Sequence, residues 1–362
     1  MSYWFLPILT VPYLILLLDI YRHLLRIKPF RPDHAPSVFI SVVIACKNEQ
    51  DNMPDLLVGL SKQNYPLNLF EVIIVDDHST DRTIASAVSY SYLLDLKILS
   101  NEGTGKKQAL RKGIECARGE LIVTTDADCT PTSLWLQTIA SFYNLHKPEL
   151  IISPVRLSRK KGFFGRFQEL EFLSLQGITA GTAAGNKAVM CNGANLAFTK
   201  KAYAENAGNL RFDIPTGDDV FLLHSIKKSN SLILWLESHH AVTETEASPD
   251  LTSFLKQRKR WASKSTSYND NFSVLLGIVT FVTNLIVVVL LTGSIFNQDF
   301  LKLFLMAFLI KSLPDYLILS NVTKRYGRRN LMRWFLPCQV IYPFYVLTVA
   351  AFALTGSNRR RG

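Results

Sequence analysis

Four stretches of the chain are apolar over nearly the length of a membrane-spanning helix: residues 3–20, 272–296, 300–320 and 334–354. Crossing a hydrocarbon core takes roughly 20 such residues in a helix. The second stretch is the cleanest. The first is short and carries Asp19. The third carries Lys311, Pro314 and Asp315, so it is expected to kink, or to turn its Lys–Asp pair toward other helices.

Between the first and second stretches the pattern changes. "VFISVVIACKNE" (38–49) is a continuous β-branched run, as a buried parallel strand would be. "NMPDLLVGLSKQ" (52–63) has helical spacing at Leu56, Leu57 and Leu60. "FEVIIVDD" (70–77) is a second strand ending in acids. "STDRTIASAVSYSY" (79–92) opens with helix-capping residues. "LKILSN" (96–101) is a third strand, "GKKQALRKGIECA" (105–117) a helix with Leu110 and Ile114 on one face, and "ELIVTTDAD" (120–128) a fourth strand. This alternation predicts an α/β domain with a mostly parallel sheet and helices on both faces. Ligands in such sheets bind at the carboxyl ends of strands.

Further on, residues 162–181 place Phe163, Phe167, Leu170 and Leu173 roughly on one helical face beside Arg159, Lys160, Lys161 and Arg166. Two readings stand open: a helix lying on a membrane surface, or one packed in a core. "TSFLKQRKRW" (252–261) is basic with Phe254, Leu255 and Trp261, and is expected at a membrane interface. The organisation expected is therefore 1–29, an N-terminal transmembrane helix and basic flank; 30–250, the α/β domain; 251–271, an interfacial segment; and 272–362, about three transmembrane helices.

Charge sets an orientation. No basic residue precedes the first apolar run and no A-x-A site follows it, so it does not read as a cleaved signal. Arg22, His23, Arg26, Lys28 and Arg31 follow it, which puts residue 30 onward in the cytoplasm by the positive-inside rule. Three later spans then leave Lys324, Arg325, Arg328, Arg329 and Arg333 inside and Arg359, Arg360 and Arg361 outside. The last three run against the rule. The net charge of +11 fits anionic lipid headgroups, because the basic residues flank apolar segments. No nucleic-acid motif is present, and nucleic acid is not an expected partner. The five cysteines are scattered without a C-x-x-C, which fits a reducing compartment and no zinc site.

Three acidic pairs carry the candidate chemistry: Asp76–Asp77, Asp126–Asp128 and Asp218–Asp219. Any one of them serves a turn or a helix cap as readily as a site. Together, in one α/β domain, they suggest more. A hard divalent cation takes oxygen ligands, and Mg²⁺ is usually held by one or two carboxylates plus substrate phosphate oxygens. Lys106, Lys107 and Arg111 add positive charge nearby in sequence. A separate carboxylate could take the proton of an attacking hydroxyl. Arg258 and Arg260 could steady a departing phosphate and Trp261 could stack on a sugar ring. The set fits sugar transfer from a nucleotide-sugar to a hydroxyl. Cys129 and Cys191 lack a base partner for nucleophilic work. His239–His240 reads as a solvated turn, and Glu244 and Glu246 receive no role.

In these motifs the chain resembles membrane-integrated family-2 glycosyltransferases of GT-A fold, the group of cellulose, chitin, hyaluronan and poly-N-acetylglucosamine synthases. The likeness rests on "SVVIACKNE…VIIVDDHSTDRT", "GKKQALRKGI…GELIVTTDADC", "MCNGANLAFTK", "TGDDVFLLHSI" and "QRKRW", in family order over about residues 38–261. It implies that Asp77 contacts the uracil or ribose side of the nucleotide, with Asp76 beside it, and that Lys106 or Lys107 lies near the nucleotide. It implies that Asp126 and Asp128 bind a divalent metal, Mg²⁺ or Mn²⁺, with the diphosphate. Asn192 and Gly193 fall in the acceptor-side segment, Asp219 becomes the general base, and Gln257, Arg260 and Trp261 close the site with Arg258 among them. Asp218 stands where the family has glutamate and Gly217 where it has threonine, which puts acceptor contacts in doubt while keeping the base.

The resemblance further implies an inverting mechanism, a nucleotide-sugar donor (UDP-linked), a glycan or lipid acceptor, and membrane lipids and export or assembly proteins as partners. It places the protein in a bacterial cytoplasmic membrane with its catalytic domain in the cytoplasm. Q-x-x-R-W favours a processive synthase; only about four spans favour single transfer to a lipid. A non-catalytic nucleotide-binding subunit would lack a base or metal pair, and neither is missing. Too few polar residues lie in the spans to favour a transporter.

Overall fold

The structure, a computed structural model, describes residues 3–33, 37–212, 214, 217–265 and 267–357, with side chains from Phe5 to Phe352. Thr216 and Arg359, Arg360 and Arg361 lie outside the described residues. The chain divides into two compact units. One comprises Ile27–Ser158 and Met190–Glu246. The other comprises Met1–Arg26, Arg159–Val189 and Ala247–Gly362.

The first unit is the α/β domain. Its strands are β1 (Ile40–Cys46), β2 (Phe70–Asp76), β3 (Leu96–Ser100), β4 (Leu121–Thr124), β5 (Thr130–Pro131), β6 (Leu150–Ile152), β7 (Val155–Leu157), β8 (Leu196–Thr199), β9 (Ile233–Trp235) and β10 (Thr243–Thr245). Seven form one sheet in the order β3-β2-β1-β4-β8-β6-β9. The β1–β2, β2–β3, β1–β4 and β6–β9 ladders are parallel, and β8 runs antiparallel to both β4 and β6. β1 and β2 are buried almost throughout, which is why their sequences are unbroken apolar runs rather than alternating ones. Helix Lys106–Cys116 packs down on this sheet at Gly113, where a Cβ would fall 2.5 Å from Val43 Cγ1.

The remaining three strands form a small sheet, β5-β10-β7. Asp126 and Asp128 therefore occupy the short link between β4 of the large sheet and β5 of the small one. Buried Asn195 braces this corner. Its Nδ2 donates to Pro154 O (2.8 Å) and Ala241 O (2.7 Å), and its Oδ1 accepts from Trp135 Nε1 (2.8 Å). Leaving any of these buried groups unmatched would cost about 1–3 kcal/mol.

The second unit is helical. Four of its helices are long and apolar enough to cross a membrane: Phe5–Arg26, Asn271–Gly293, Gln298–Arg325 and Arg329–Phe352. They coincide with the four apolar stretches. Pro314 lies inside Gln298–Arg325, which stays one continuous helix. The Lys–Asp pair does face other helices. Fully buried Lys311 donates to Asp315 Oδ2 (2.8 Å) and to Gln339 Oε1, and Asp315 also accepts from Tyr13 OH (2.7 Å) and Gln339 Nε2 (3.0 Å).

Helix Gly162–Ala184 belongs to this unit, although the residue pattern assigned it to the 30–250 domain. No residue from 163 to 183 is exposed. It is therefore the core-packed alternative of the two readings, since a helix lying on a surface keeps an open polar face. Its buried polar residues find partners within the unit. Gln168 bonds Ser248, Glu169 pairs with Arg328 at 2.7 Å, and Gln176 accepts from Tyr326 OH.

Candidate active site

The D-x-D link carries the first cluster. Asp126 and Asp128 are both partly open to solvent, and Ala127 between them is buried. Lys106, the first residue of helix Lys106–Cys116, forms an ion pair with Asp126 Oδ1. Loss of surrounding water opposes the lysine's charge. The carboxylates of Asp126, Asp218 and Asp219 more than offset it and hold the ammonium above the ordinary lysine range. Asp128 accepts from Thr245 Oγ1 of β10 at 3.1 Å, so the small sheet fixes its side chain. Burial, then the charge of Asp126, pushes the Asp128 carboxyl up.

Two carboxylates held this close stay ionised together most easily with a cation between them. Their oxygens are the donors that Mg²⁺ and Mn²⁺ take. Among the described residues no group of three or more His, Cys, Asp or Glu side chains is arranged to hold a metal. A two-carboxylate set suits a metal whose shell is completed by substrate phosphate and water. One residue passed over in the sequence stands close. Glu49, three residues past β1, has its carboxyl raised by burial. Its Asn52 hydrogen bond opposes this, and the charges of Asp128 and Asp126 add to it. Its only signal was a position at a strand's carboxyl end.

The β2 acids have structural duties. Asp77 is 8% exposed, and its Oδ1 accepts from Asn101 Nδ2 (2.7 Å) and Gly105 N (2.8 Å). It thereby shapes the loop that delivers Lys106. Asp76 accepts from Ser79 N and closes the turn after β2. The two neighbouring lysines diverge. Where Lys106 meets Asp126, buried Lys107 donates to the carbonyls of Leu210 (3.0 Å), Arg211 (3.0 Å) and Ile214 (2.9 Å) and lies over the Phe221 ring. It is a clamp on the loop ahead of Asp218.

Asp218 and Asp219 open helix Asp218–Lys228. Gly217, at the cap, has φ +88°, a left-handed conformation in which a side chain would be strained. Asp219 Oδ2 accepts from Gly193 N at 3.1 Å, and its Oδ1 accepts from Val220 N at 2.8 Å. Thr124 Oγ1, at the end of β4, donates to Gly193 O at 2.8 Å. Asn192 Oδ1 accepts from Ala194 N and turns this segment. The unit thus brings together Lys106, Asp126, Asp128, Asn192, Gly193, Asp218 and Asp219.

Gln257, Arg258, Arg260 and Trp261 lie in the other unit, on helix Leu251–Ser265. Arg260 is exposed and Trp261 half-buried. Arg258 is buried, and its Nε and Nη2 donate to the two oxygens of Glu171 at 2.9 and 2.5 Å.

The family model "Glycosyl transferase family 2" matches residues 41–206. Poly-beta-1,6-N-acetyl-D-glucosamine synthase of Staphylococcus epidermidis is 27% identical over 263 residues, 67% of this chain and 60% of that protein. The chain thus spans about 60% of that relative's length. Dodecaprenyl-phosphate galacturonate synthase of Rhizobium johnstonii is 31% identical over 147 residues, 39% of this chain and 43% of that protein. Among solved structures, the mannosyltransferase PcManGT of Pyrobaculum calidifontis, in complex with GDP-Man and Mn²⁺, superposes with a TM-score of 0.57 at 19% identity, covering 98% of this chain and 99% of that one. At that identity the likeness speaks for the fold. Residues 41–206 match the model of glycosyl transferase family 2, the fold is that of GT-A glycosyltransferases, and the chain is similar in part of its length to polysaccharide and lipid-linked sugar synthases, with four helices able by length and composition to cross a membrane.

Proposed function

We propose that the protein is an inverting glycosyltransferase. It moves a sugar from a nucleotide-sugar, UDP-linked in the first instance, to a hydroxyl of a polysaccharide or lipid acceptor at the cytoplasmic face of a bacterial membrane. The observation that carries this reading is the ion pair of Lys106 with Asp126 in the link after β4, beside the Asp218 and Asp219 carboxylates, whose charge also acts on that ammonium. With a divalent cation on Asp126 and Asp128, such a place suits an anionic diphosphate on one side and a hydroxyl nucleophile on the other.

In this reading Asp219 removes the proton of the acceptor hydroxyl as its oxygen bonds to the anomeric carbon. The bond from that carbon to the diphosphate breaks on the opposite face, so the configuration inverts and no covalent enzyme intermediate forms. Asp126 and Asp128 hold a divalent cation, Mg²⁺ or Mn²⁺, which when bound offsets the charge of the departing diphosphate. Lys106 adds a further positive charge to the leaving group. Asp76 and Asp77 shape the nucleotide side, and Asn192, Gly193 and Asp218 line the acceptor side. Gln257, Arg260 and Trp261 contact diphosphate and acceptor. Arg258 and Lys107 serve the same site indirectly, because their charged groups are already engaged by protein.

The test is release of nucleoside diphosphate by the purified full-length protein in detergent, offered a panel of UDP- and GDP-sugars. Transfer by the wild type with loss in Asp219→Asn supports the reading. Unchanged transfer in Asp219→Asn removes Asp219 as base. Similarity to a dodecaprenyl-phosphate galacturonate synthase favours a second reading, single transfer to a lipid-linked acceptor. Product length separates the two, since a ladder of products means processive synthesis and one added sugar means single transfer.

A further inference from the structure

Arg258 fills the first unspecified position of Q-x-x-R-W, so the motif itself asks for no arginine there. The structure nonetheless builds a site around it. Its guanidinium is buried and held by both oxygens of Glu171, whose side chain is equally buried. Tyr345 OH donates to Glu171 Oε1 at 2.8 Å, so the carboxylate is anchored from a third helix. Arg258 Nη1 donates to Gln257 Oε1. The guanidinium also lies 4.2 Å from the centroid of the Trp261 ring and 4.4 Å from that of Phe254. One arginine therefore touches the first and the last residue of the motif, and one glutamate fixes that arginine.

We propose that Glu171 is a positioning residue for the Q-R-K-R-W segment. It locks Arg258 as a spacer between Gln257 and Trp261 and so sets how Arg260 and Trp261 are presented to substrate. Burying an ion pair gains little stability over apolar packing of the same shape, so stability alone gives little reason for a charged pair here. Bidentate geometry fixes direction, which a motif that must aim two side chains requires. The inference rests on the reading that Q-x-x-R-W contacts substrate. Misaiming such groups by about 1 Å costs on the order of 100-fold in rate.

The experiment compares Glu171→Gln, Glu171→Asp, the double variant Glu171→Gln/Arg258→Gln, and Trp261→Ala, each as the full-length protein in detergent. Thermal unfolding, donor KM, kcat for transfer, and the share of donor hydrolysed by water are read for each. Glu171→Gln is expected to lower kcat roughly 10- to 100-fold, with donor KM within about twofold and a larger hydrolysed share. Glu171→Asp, which keeps the charge, recovers part of kcat. The double variant, free of an unmatched buried charge, regains thermal stability without regaining kcat. It decides the matter if Glu171→Gln fails to fold. A folded double variant with wild-type kcat, or a kcat that returns with stability, overturns the proposal. Wild-type transfer in Trp261→Ala instead overturns the reading of Q-x-x-R-W on which the proposal rests.

Discussion

The two units hold their carboxylates under opposite conditions. In the helical unit, among the described residues, the acids Glu171, Glu169 and Asp315 are each met by a cation. Glu171 faces Arg258, Glu169 faces Arg328, and Asp315 faces Lys311. At the strand ends of the α/β unit the balance differs, with Lys106 standing against Asp126, Asp218 and Asp219 together, and Asp128 one residue beyond Asp126. A matched pair inside a bundle fixes geometry. An excess of carboxylates over cations leaves a place for a cation brought from outside, in the proposed reading a divalent metal. Position on the sheet supports the same division, since open α/β sheets bind ligands at strand carboxyl ends.

The sharpest way to break this comparison is at Asp219. Asp219→Asn keeps the shape, and its single amide oxygen can still accept from Gly193 N while the bond from Val220 N is lost, so folding is expected to survive with a small loss of stability. Loss of a general base lowers transfer by roughly 100- to 10,000-fold, with donor affinity retained. Transfer kinetics and donor binding on the same preparation check it. The next largest effect is expected at the D-x-D. Chelation by EDTA should abolish transfer and Mg²⁺ or Mn²⁺ should restore it, while Asp128→Asn should stay inactive at any metal concentration tested. Transfer that persists in EDTA would remove the metal from the reading and leave Lys106 as the charge partner.

A smaller contrast separates the two lysines. Lys106→Ala is expected to raise donor KM about tenfold, the scale of one charged hydrogen bond, with little change in thermal stability. Lys107→Met should do the reverse. It leaves three loop carbonyls without their donor, lowers the unfolding temperature, and reduces kcat through the loop ahead of Asp218. Equal KM effects in both would refute the division of roles.

Sequence alone could not have made that division. Lys106 and Lys107 are adjacent, and only the start of a helix turns one toward Asp126 and the other inward. Strands β1 and β2 were legible because long runs buried on both faces leave unbroken apolar sequence, whereas β3, a partly exposed edge strand, left only the short run LKILS. The small sheet was not, because strands of two or three residues carry no periodicity, and Asp128 is fixed from there by Thr245. Helix Gly162–Ala184 was ambiguous for a related reason. Glutamates and glutamines that are buried with partners look, in sequence, like the polar face of a surface helix. The D-x-D and the Asp218–Asp219 pair were visible as acids, but their convergence on one ammonium is a property of the fold.

The comparison also predicts where a buried charge should be silent in catalysis. Lys311 is fully buried beneath Asp315, Gln339 and the Tyr342 ring, on helix Gln298–Arg325, which carries no residue assigned to the reaction. Lys311→Met removes the cation and leaves Asp315 with only the Tyr13 hydroxyl and the Gln339 amide as donors. Breaking one partner of a buried pair typically costs about 3–5 kcal/mol, so the unfolding temperature in detergent should fall clearly. Transfer per folded molecule should stay within about twofold, because the lysine's work is to fix helices against each other. Adding Asp315→Asn should recover part of the lost stability, since an amide needs no counter-charge. A folded Lys311→Met protein whose transfer falls tenfold or more would show that this pair, like Glu171–Arg258, serves catalysis through positioning, and its silence would no longer hold.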